Sequence, residues 1–276
     1  MKNLIEAYNK EYKDYKKNLY LKLSFLLFVF AVPFIPLAIY FNQSGAFLKT
    51  LFWIFATIIL IILIIFISLI FYVSERPMYE YVYKKIIDEV FKDDPTHYEY
   101  ESFPMSNVFI EKGKLFSKAH SEVIRYRLSF YYLSNRIDIY SFYAYSKSQK
   151  SSKVVFDGVY MVFHCNNQSS YEIRSNGRLE YINDQLQKVE SNEKYEIYTS
   201  EKTTIPHYAT KIFNDLYSKY NNHIYISGVR KEVHVAIDEL YDDLTPKELT
   251  EKKLIELKNQ ISSLISLGRS IYKNFE

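Results

Sequence analysis

Histidine, cysteine and carboxylate side chains carry most nucleophilic, acid–base and metal chemistry, and this chain brings few of them together. His164 and Cys165 are adjacent. A thiolate beside an imidazole would be a nucleophile or half of a metal site. On a strand, neighbours point to opposite faces, so these two cannot close on one atom, and Cys165 reads as a structural thiol. His223 and His234 fall on the two arms of a predicted hairpin whose turn is placed at Gly228. They are offset there, and no third ligand stands at a suitable spacing. His97, His120 and His207 stand alone in polar contexts. Asp238, Glu239, Asp242 and Asp243 form an acidic cluster whose oxygens suit a hard divalent cation. The cluster lacks the spacing and the glycine of a calcium loop, and it reads as a solvated loop ahead of a helix N-terminus, where negative charge is favourable.

Arg125, Arg127, Ser129 and Tyr131 are expected on one face of a strand, with Tyr126 and Phe130 on the other. Cations beside aromatic rings on a sheet can hold single-stranded nucleic acid. The Gly–aromatic spacing of RNA-binding sheets is absent, so the strand reads as half-exposed and no nucleic-acid partner is expected. With no acid–base pair, activated nucleophile or phosphate loop in view, the expectation is a non-enzymatic protein without cofactor or metal.

The elements that would position these residues are dominated by one stretch, 47–73, FLKTLFWIFATIILIILIIFISLIFYV. From Leu51 onward it has no charge, Gly or Pro. At about 1.5 Å per residue it is long enough for a hydrocarbon core about 30 Å thick. A second uncharged run, 23–41, precedes it and contains Pro33 and Pro36, tolerated in membrane helices with a kink. The short turn NQSGA separates the two. The predicted architecture is a two-helix transmembrane hairpin (spans 23–41 and 48–73) with both ends on one side. Lys2, Lys10, Lys13, Lys16, Lys17 and Lys22 precede the first span and Arg76, Lys84, Lys85 and Lys92 follow the second, against Lys49 near the turn. Positive charge favours the cytoplasmic side, so both termini are expected in the cytoplasm.

Charge distribution agrees. Residues 1–74 carry seven Lys against three acids, a surplus of +4, while the other 28 basic and 29 acidic residues leave −1. The basic excess therefore sits at the membrane. Within 1–22, Leu4, Ile5, Tyr8, Tyr12, Tyr15 and Leu19 recur at helical spacing. Such a helix suits an anionic leaflet, with Lys10, Lys13, Lys16, Lys17, Lys22 and Arg76 at the membrane interface and membrane lipid as partner. It equally suits a lead-in to the first span, or a helix packed on the later domain. The single cysteine excludes an intramolecular disulfide.

Residues 74–276 read as a soluble α+β domain of antiparallel strands with packed helices. A helix capped by Ser74 runs through Phe91 on Tyr79, Val82, Ile86 and Val90, and the stretch to Pro104 reads as loop. Strands follow at 122–132 and 136–145 about a turn at Ser134-Asn135, then at 154–165, where Gly158 suggests a bulge or a close backbone approach. Asn176-Gly177 turns between 171–174 and 178–182, and 195–199 is a further strand. A helix at 205–220 buries Tyr208, Ile212 and Leu216. Strands 223–227 and 231–237 meet across Gly228. Thr245, Pro246 and Glu248 form a capping box for a last helix, whose Leu254, Leu257, Ile261, Leu264, Gly268 and Ile271 suit docking on the sheet or self-association.

The layout resembles the bacterial membrane proteins called domain of unknown function 3137. Val155-Phe156-Asp157-Gly158-Val159-Tyr160 is similar to that family's aromatic-x-Gly strand, and Tyr195-Glu196-Ile197-Tyr198-Thr199 to a later aromatic segment. The helix at 208–216 and Val235-Ala236-Ile237 continue the likeness. The resemblance implies a protein anchored in the bacterial inner membrane and no established activity. The expected function is a membrane-anchored module whose cytosolic domain binds a protein partner or forms a homo-oligomer. The alternative is a pleckstrin-homology-like domain sensing lipid or a small ligand.

Overall fold

The computed structural model describes residues 2–42, 45, 50, 52–54, 56–59, 61, 63, 76–92, 94, 96–104, 113, 115–116, 121–147, 152–176, 186–200, 204–221, 223–240 and 249–275. The chain divides into two compact units, Met1–Tyr83 with Pro246–Leu254, and Lys84–Thr245 with Ile255–Glu276.

In the first unit, α1 (Lys2–Asn42) is one continuous helix that runs through Pro33 and Pro36. The expected spacing holds: Tyr8 and Leu19 are buried, Ile5, Tyr12 and Tyr15 are partly covered, and Lys10, Lys13, Lys16, Lys17 and Lys22 are exposed. Tyr8 and Tyr12 stack with centroids 6.0 Å apart, and Lys16 Nζ lies 4.6 Å above the Tyr12 ring. Asn9 bonds the Leu249 backbone in both directions, Nδ2 donating to the carbonyl at 3.2 Å and Oδ1 accepting the amide at 3.3 Å. This contact joins α1 to the segment at Leu249 within the same unit. Among the described residues no helix is long and apolar enough to cross a membrane. The first expected span runs through α1, where the side chains of 26–27 and 29–35 lie outside the description. The second, 48–73, lies mostly outside it, as does the side chain of Arg76.

The second unit is α+β, built on one nine-stranded antiparallel sheet. Its strands are β1 (Tyr98–Ser102), β2 (Ser121–Tyr132), β3 (Asn135–Lys147), β4 (Ser152–His164), β5 (Tyr171–Ser175), β6 (Gln187–Ser191), β7 (Tyr195–Thr199), β8 (Ile224–Val229) and β9 (Glu232–Asp238). Their order is β1-β2-β3-β4-β9-β8-β5-β7-β6. Among the described residues the strands form one sheet with β1 and β6 at its edges.

The helices are α2 (Arg76–Val90), α3 (His207–Tyr220) and α4 (Glu251–Tyr272). The division between units falls inside α2 and α4. Where they belong to the second unit they cover one sheet face. Gly268 of α4 sits over Phe130, Ile137 and Ile139, Phe213 of α3 packs on Tyr195, and Phe91 stacks on Tyr98. At Gly268 the apolar stripe of α4 therefore faces its own sheet, as expected of a helix docked there. Capping chemistry sets the helix ends. α3 starts two residues later than expected, with Pro206 ahead of it, and Asn221 closes it in the left-handed conformation that a C-cap needs. Leu249 and Thr250 are not helical, so α4 starts later than the capping box implied. Thr250 Oγ1 accepts the Lys253 amide at 3.3 Å in the N-cap manner. The box at 245–248 lies outside the described residues, as do Gly177 and the strand expected at 178–182.

The turns depart from expectation by small steps. The β2–β3 turn is Leu133-Ser134, one residue earlier than expected, because Tyr132 pairs with Asn135. Gly228 lies inside β8 and the β8–β9 turn is Arg230-Lys231. Gly228 is required because a Cβ there would enter the Tyr171 ring. At Gly158 the expected close approach is present, since a Cβ would run into the Ile237 carbonyl. The bulge falls instead beside it, between the Ala144–Phe156 and Tyr145–Val154 pairs.

Candidate functional site

The sheet face opposite the helices carries a layer of polar and charged side chains around an aromatic cluster. Alternation along each strand selects them: Arg127, Ser129, Arg136, Asp138, Tyr160, His164, Glu232, His234, Ser227, Glu172 and Arg174 share this face through the strand register. Phe116, Phe142, Phe156, Tyr160 and Tyr225 form the apolar part, with Phe116 and Phe156 centroids 4.6 Å apart.

Four strands contribute to a connected polar chain. Tyr160 Oη lies 3.1 Å from His234 Nδ1, and His234 Nε2 lies 3.2 Å from Glu232 Oε2. Glu232 Oε1 is 3.5 Å from His164 Nδ1, whose Nε2 is 2.9 Å from Asp138 Oδ2. Asp138 Oδ1 accepts Arg136 Nε–H at 2.8 Å, and Arg136 also donates to Ser129 Oγ at 3.3 Å. The chain grades from the fully buried His234 to His164, whose side chain is 38% exposed. Burial of Asp138 pushes its carboxyl up, but the bonds from His164, Ser129 and Arg136 outweigh it and hold the group below the usual carboxylate range. A histidine between a hydroxyl and a carboxylate has the order of a general-base triad, but Tyr160 and His234 are both fully buried and Gly113 lies directly over the pair. Among the described residues the arrangement is a buried, internally bonded network.

A second buried pair, Glu172 and Arg174, continues the layer, with the guanidinium 5.6 Å from the Tyr198 ring. Beyond it Glu196 bonds Lys188 and accepts Tyr198 Oη–H at 2.5 Å. Those bonds lower the Glu196 carboxyl, Lys188 first.

The sequence-derived candidates separate. A bulge between Ile124 and Tyr126 breaks the expected basic row. Arg125 pairs with Asp157 at 2.9 Å, while Arg127 pairs with Glu101 at 3.1 Å, so each cation has its own acid. His223 and His234 are offset as expected, since the Asp238 amide donates to the His223 carbonyl. Asp238 is buried and accepts the Asp157 amide at 3.0 Å, and so belongs to the strand ladder and not to a solvated loop. Asp242, Asp243 and His120 lie outside the described residues. Burial pushes the Cys165 thiol up to about 11, in keeping with a structural thiol. Among the described residues no group of three His, Cys, Asp or Glu is placed to hold a metal ion. Sequence reasoning missed the network because its members stand far apart in the chain. The available signal was polar residues at alternate positions in strands otherwise apolar, Glu232 and His234 above all.

A solvent-open groove of about 540 Å³ lies between α3 and α4, floored by Ile212, Leu216, Leu267 and Ile271 and rimmed by polar residues such as Lys219 and Ser266.

No protein-family model matches the chain, and no curated protein matches it. Among solved structures, the crystal structure of the mycobacterial trehalose monomycolate transport factor A, TtfA, is similar with a TM-score of 0.39 at 10% identity, over 67% of this chain and 95% of that one.

Proposed function

We propose that this protein is a membrane-anchored binding module: a two-helix hairpin at 23–73 holds the α+β unit at a bacterial inner membrane, with both termini cytoplasmic, and that unit binds a protein partner or a second copy of itself. The observation that carries the reading is the exposed apolar surface of the first unit. Phe25, Phe28 and Tyr40 are 65–69% exposed, and Trp53, Ile54 and Ile61 just over half. Large apolar side chains concentrated this way in water mark a surface made for another medium. Phe41 and Phe52 stack at 5.1 Å, as a tight helical hairpin requires. The exposed Lys10, Lys13, Lys16, Lys17 and Lys22 supply interface cations ahead of the apolar run.

The α+β unit supports binding over catalysis because its richest polar chemistry is sealed under Gly113 and engaged in internal bonds. Extraction tests the anchor. The chain is expected to stay with membranes through an alkaline carbonate wash, and to be released once 23–73 is deleted. Release of the intact chain by the wash would defeat the anchor. Mass measurement of the chain in lipid discs tests the module. A monomer without companions under gentle conditions would count against binding.

A further inference from the structure

One end of the nine-stranded sheet collects features that the fold itself does not require. The β2–β3 turn places Leu133 and Ser134 at φ of 49° and 65°. Turns with two positive φ values ordinarily take Asn or Gly, and a bulky side chain there is strained. Leu133 is 55% exposed, so packing does not explain it, and Tyr131 two residues earlier is 43% exposed.

The register places the β8–β9 turn at the same end, since Phe163 pairs with Ile137 and His164 with Glu232. Arg230 and Lys231 are exposed there. Their turn is fixed from below: the Lys231 amide donates to the Asn167 carbonyl at 2.8 Å, and the Cys165 amide to the Lys231 carbonyl at 3.0 Å. Lys273, also exposed, follows α4 at this end, where Tyr272 meets Tyr132 and Phe275 meets Phe163. The acids nearby are engaged. Asp138 is held by Arg136 and His164, Glu232 faces both histidines, Asp94 bonds Arg269, and Glu99 lies 3.9 Å from both Arg127 and His97.

We propose that this end of the sheet docks on an anionic bilayer surface, with Leu133 entering the acyl boundary, Tyr131 at headgroup level, and Arg230, Lys231 and Lys273 against lipid phosphates. An apolar wedge, an interfacial ring and flanking cations are the combination that surface-bound proteins use. Strain kept in an exposed turn has a function to serve when the side chain it displays is the contact. The inference deepens the membrane reading, and it concerns the second unit alone.

The test uses the full chain with Cys165→Ser and Leu133→Cys, the new thiol carrying an environment-sensitive fluorophore. It is reconstituted with phosphatidylcholine vesicles, with and without phosphatidylglycerol. Trp53, the single tryptophan, reports on the hairpin in the same sample through quenching by brominated lipid. The fluorophore is expected to shift to the blue and be quenched by lipid-borne quencher several-fold more with phosphatidylglycerol, and Arg230→Glu with Lys231→Glu to remove the difference. With the fluorophore at Ser134→Cys, Leu133→Asn is expected to hold or raise the Tm and to lose the anionic-lipid response. A water-like fluorophore in both vesicles overturns the docking, whether or not Trp53 is quenched. A lipid-dependent signal without Trp53 quenching upholds the docking and defeats the hairpin.

Discussion

Asp138 Oδ2 on β3 lies 2.9 Å from His164 Nε2 on β4, and this contact joins the partly exposed His164 to a buried carboxylate. Burial raises the Asp138 carboxyl, and the bonds from His164, Ser129 and Arg136 lower it further than burial lifts it. A carboxyl whose folded pKa is depressed stabilises the fold above its unfolded value, about 4, and loses that contribution as pH falls through the folded value. Denaturant midpoints are therefore expected to fall on acidification below about pH 4. Asp138→Asn should lower the midpoint at neutral pH and flatten this acid slope. Parallel pH curves for the two proteins would contradict the assignment.

Tyr160→Phe removes one hydroxyl from the buried pair with His234. Loss of a buried hydrogen-bond partner costs about 1–3 kcal/mol. The expected result is a drop of that size in unfolding free energy with an unchanged far-ultraviolet spectrum. An unaltered midpoint would mean that the hydroxyl contributes nothing to the network.

Two glycines should answer oppositely to alanine. At Gly158 the new methyl meets the Ile237 backbone carbonyl, which cannot turn aside, so Gly158→Ala should cost about 3 kcal/mol or more, the upper range of overpacking. At Gly268, inside α4, the nearest atoms are 3.5 Å away at Ile137 and Phe130. Ordinary contact there leaves the helix preference for alanine, about 1 kcal/mol, so Gly268→Ala should raise the Tm. Equal effects from the two would reject the packing of β4 on β9 or of α4 on the sheet.

Asn167 ties the segment after β4 to the β8–β9 turn. Its Nδ2 donates to the Val229 carbonyl at 2.7 Å and the Ser169 carbonyl at 2.8 Å, and its Oδ1 accepts Tyr208 Oη–H at 3.0 Å. Asn167→Ala should cost about 1–3 kcal/mol and speed hydrogen exchange at Arg230 and Lys231 in the turn ahead of β9 itself. Uniform exchange would place the constraint elsewhere.

Strands with strong alternation were legible in the sequence. EVIRYRLSFYY, RIDIYSFYAY and YEIYT correspond to β2, β3 and β7 within three residues. β6, QKVES, has one apolar residue and is exposed throughout, so nothing in its pattern separates it from a loop. β1, YEYES, alternates like a strand, but it is short and lies in the stretch between Asp94 and Pro104 that reads as loop. Turn positions failed where local preference was overruled. Gly228 drew the turn to itself although close packing under Tyr171 is what needs it, and Leu133 occupies a position that local preference gives to Asn135. The buried network was invisible for a different reason. Asp138, His164, Glu232 and His234 become neighbours only through strand order, and β9 lies between β4 and β8 although β5 follows β4 in the chain.

The central claim, a hairpin that leaves both ends of the chain in the cytoplasm, is tested most directly by the sidedness of a tag placed after Glu276. Intact cells and inside-out vesicles are treated with protease and the tag is followed. Protection in cells with loss in inside-out vesicles is the predicted result. Loss of the tag in cells whose inner membrane is sealed would contradict it.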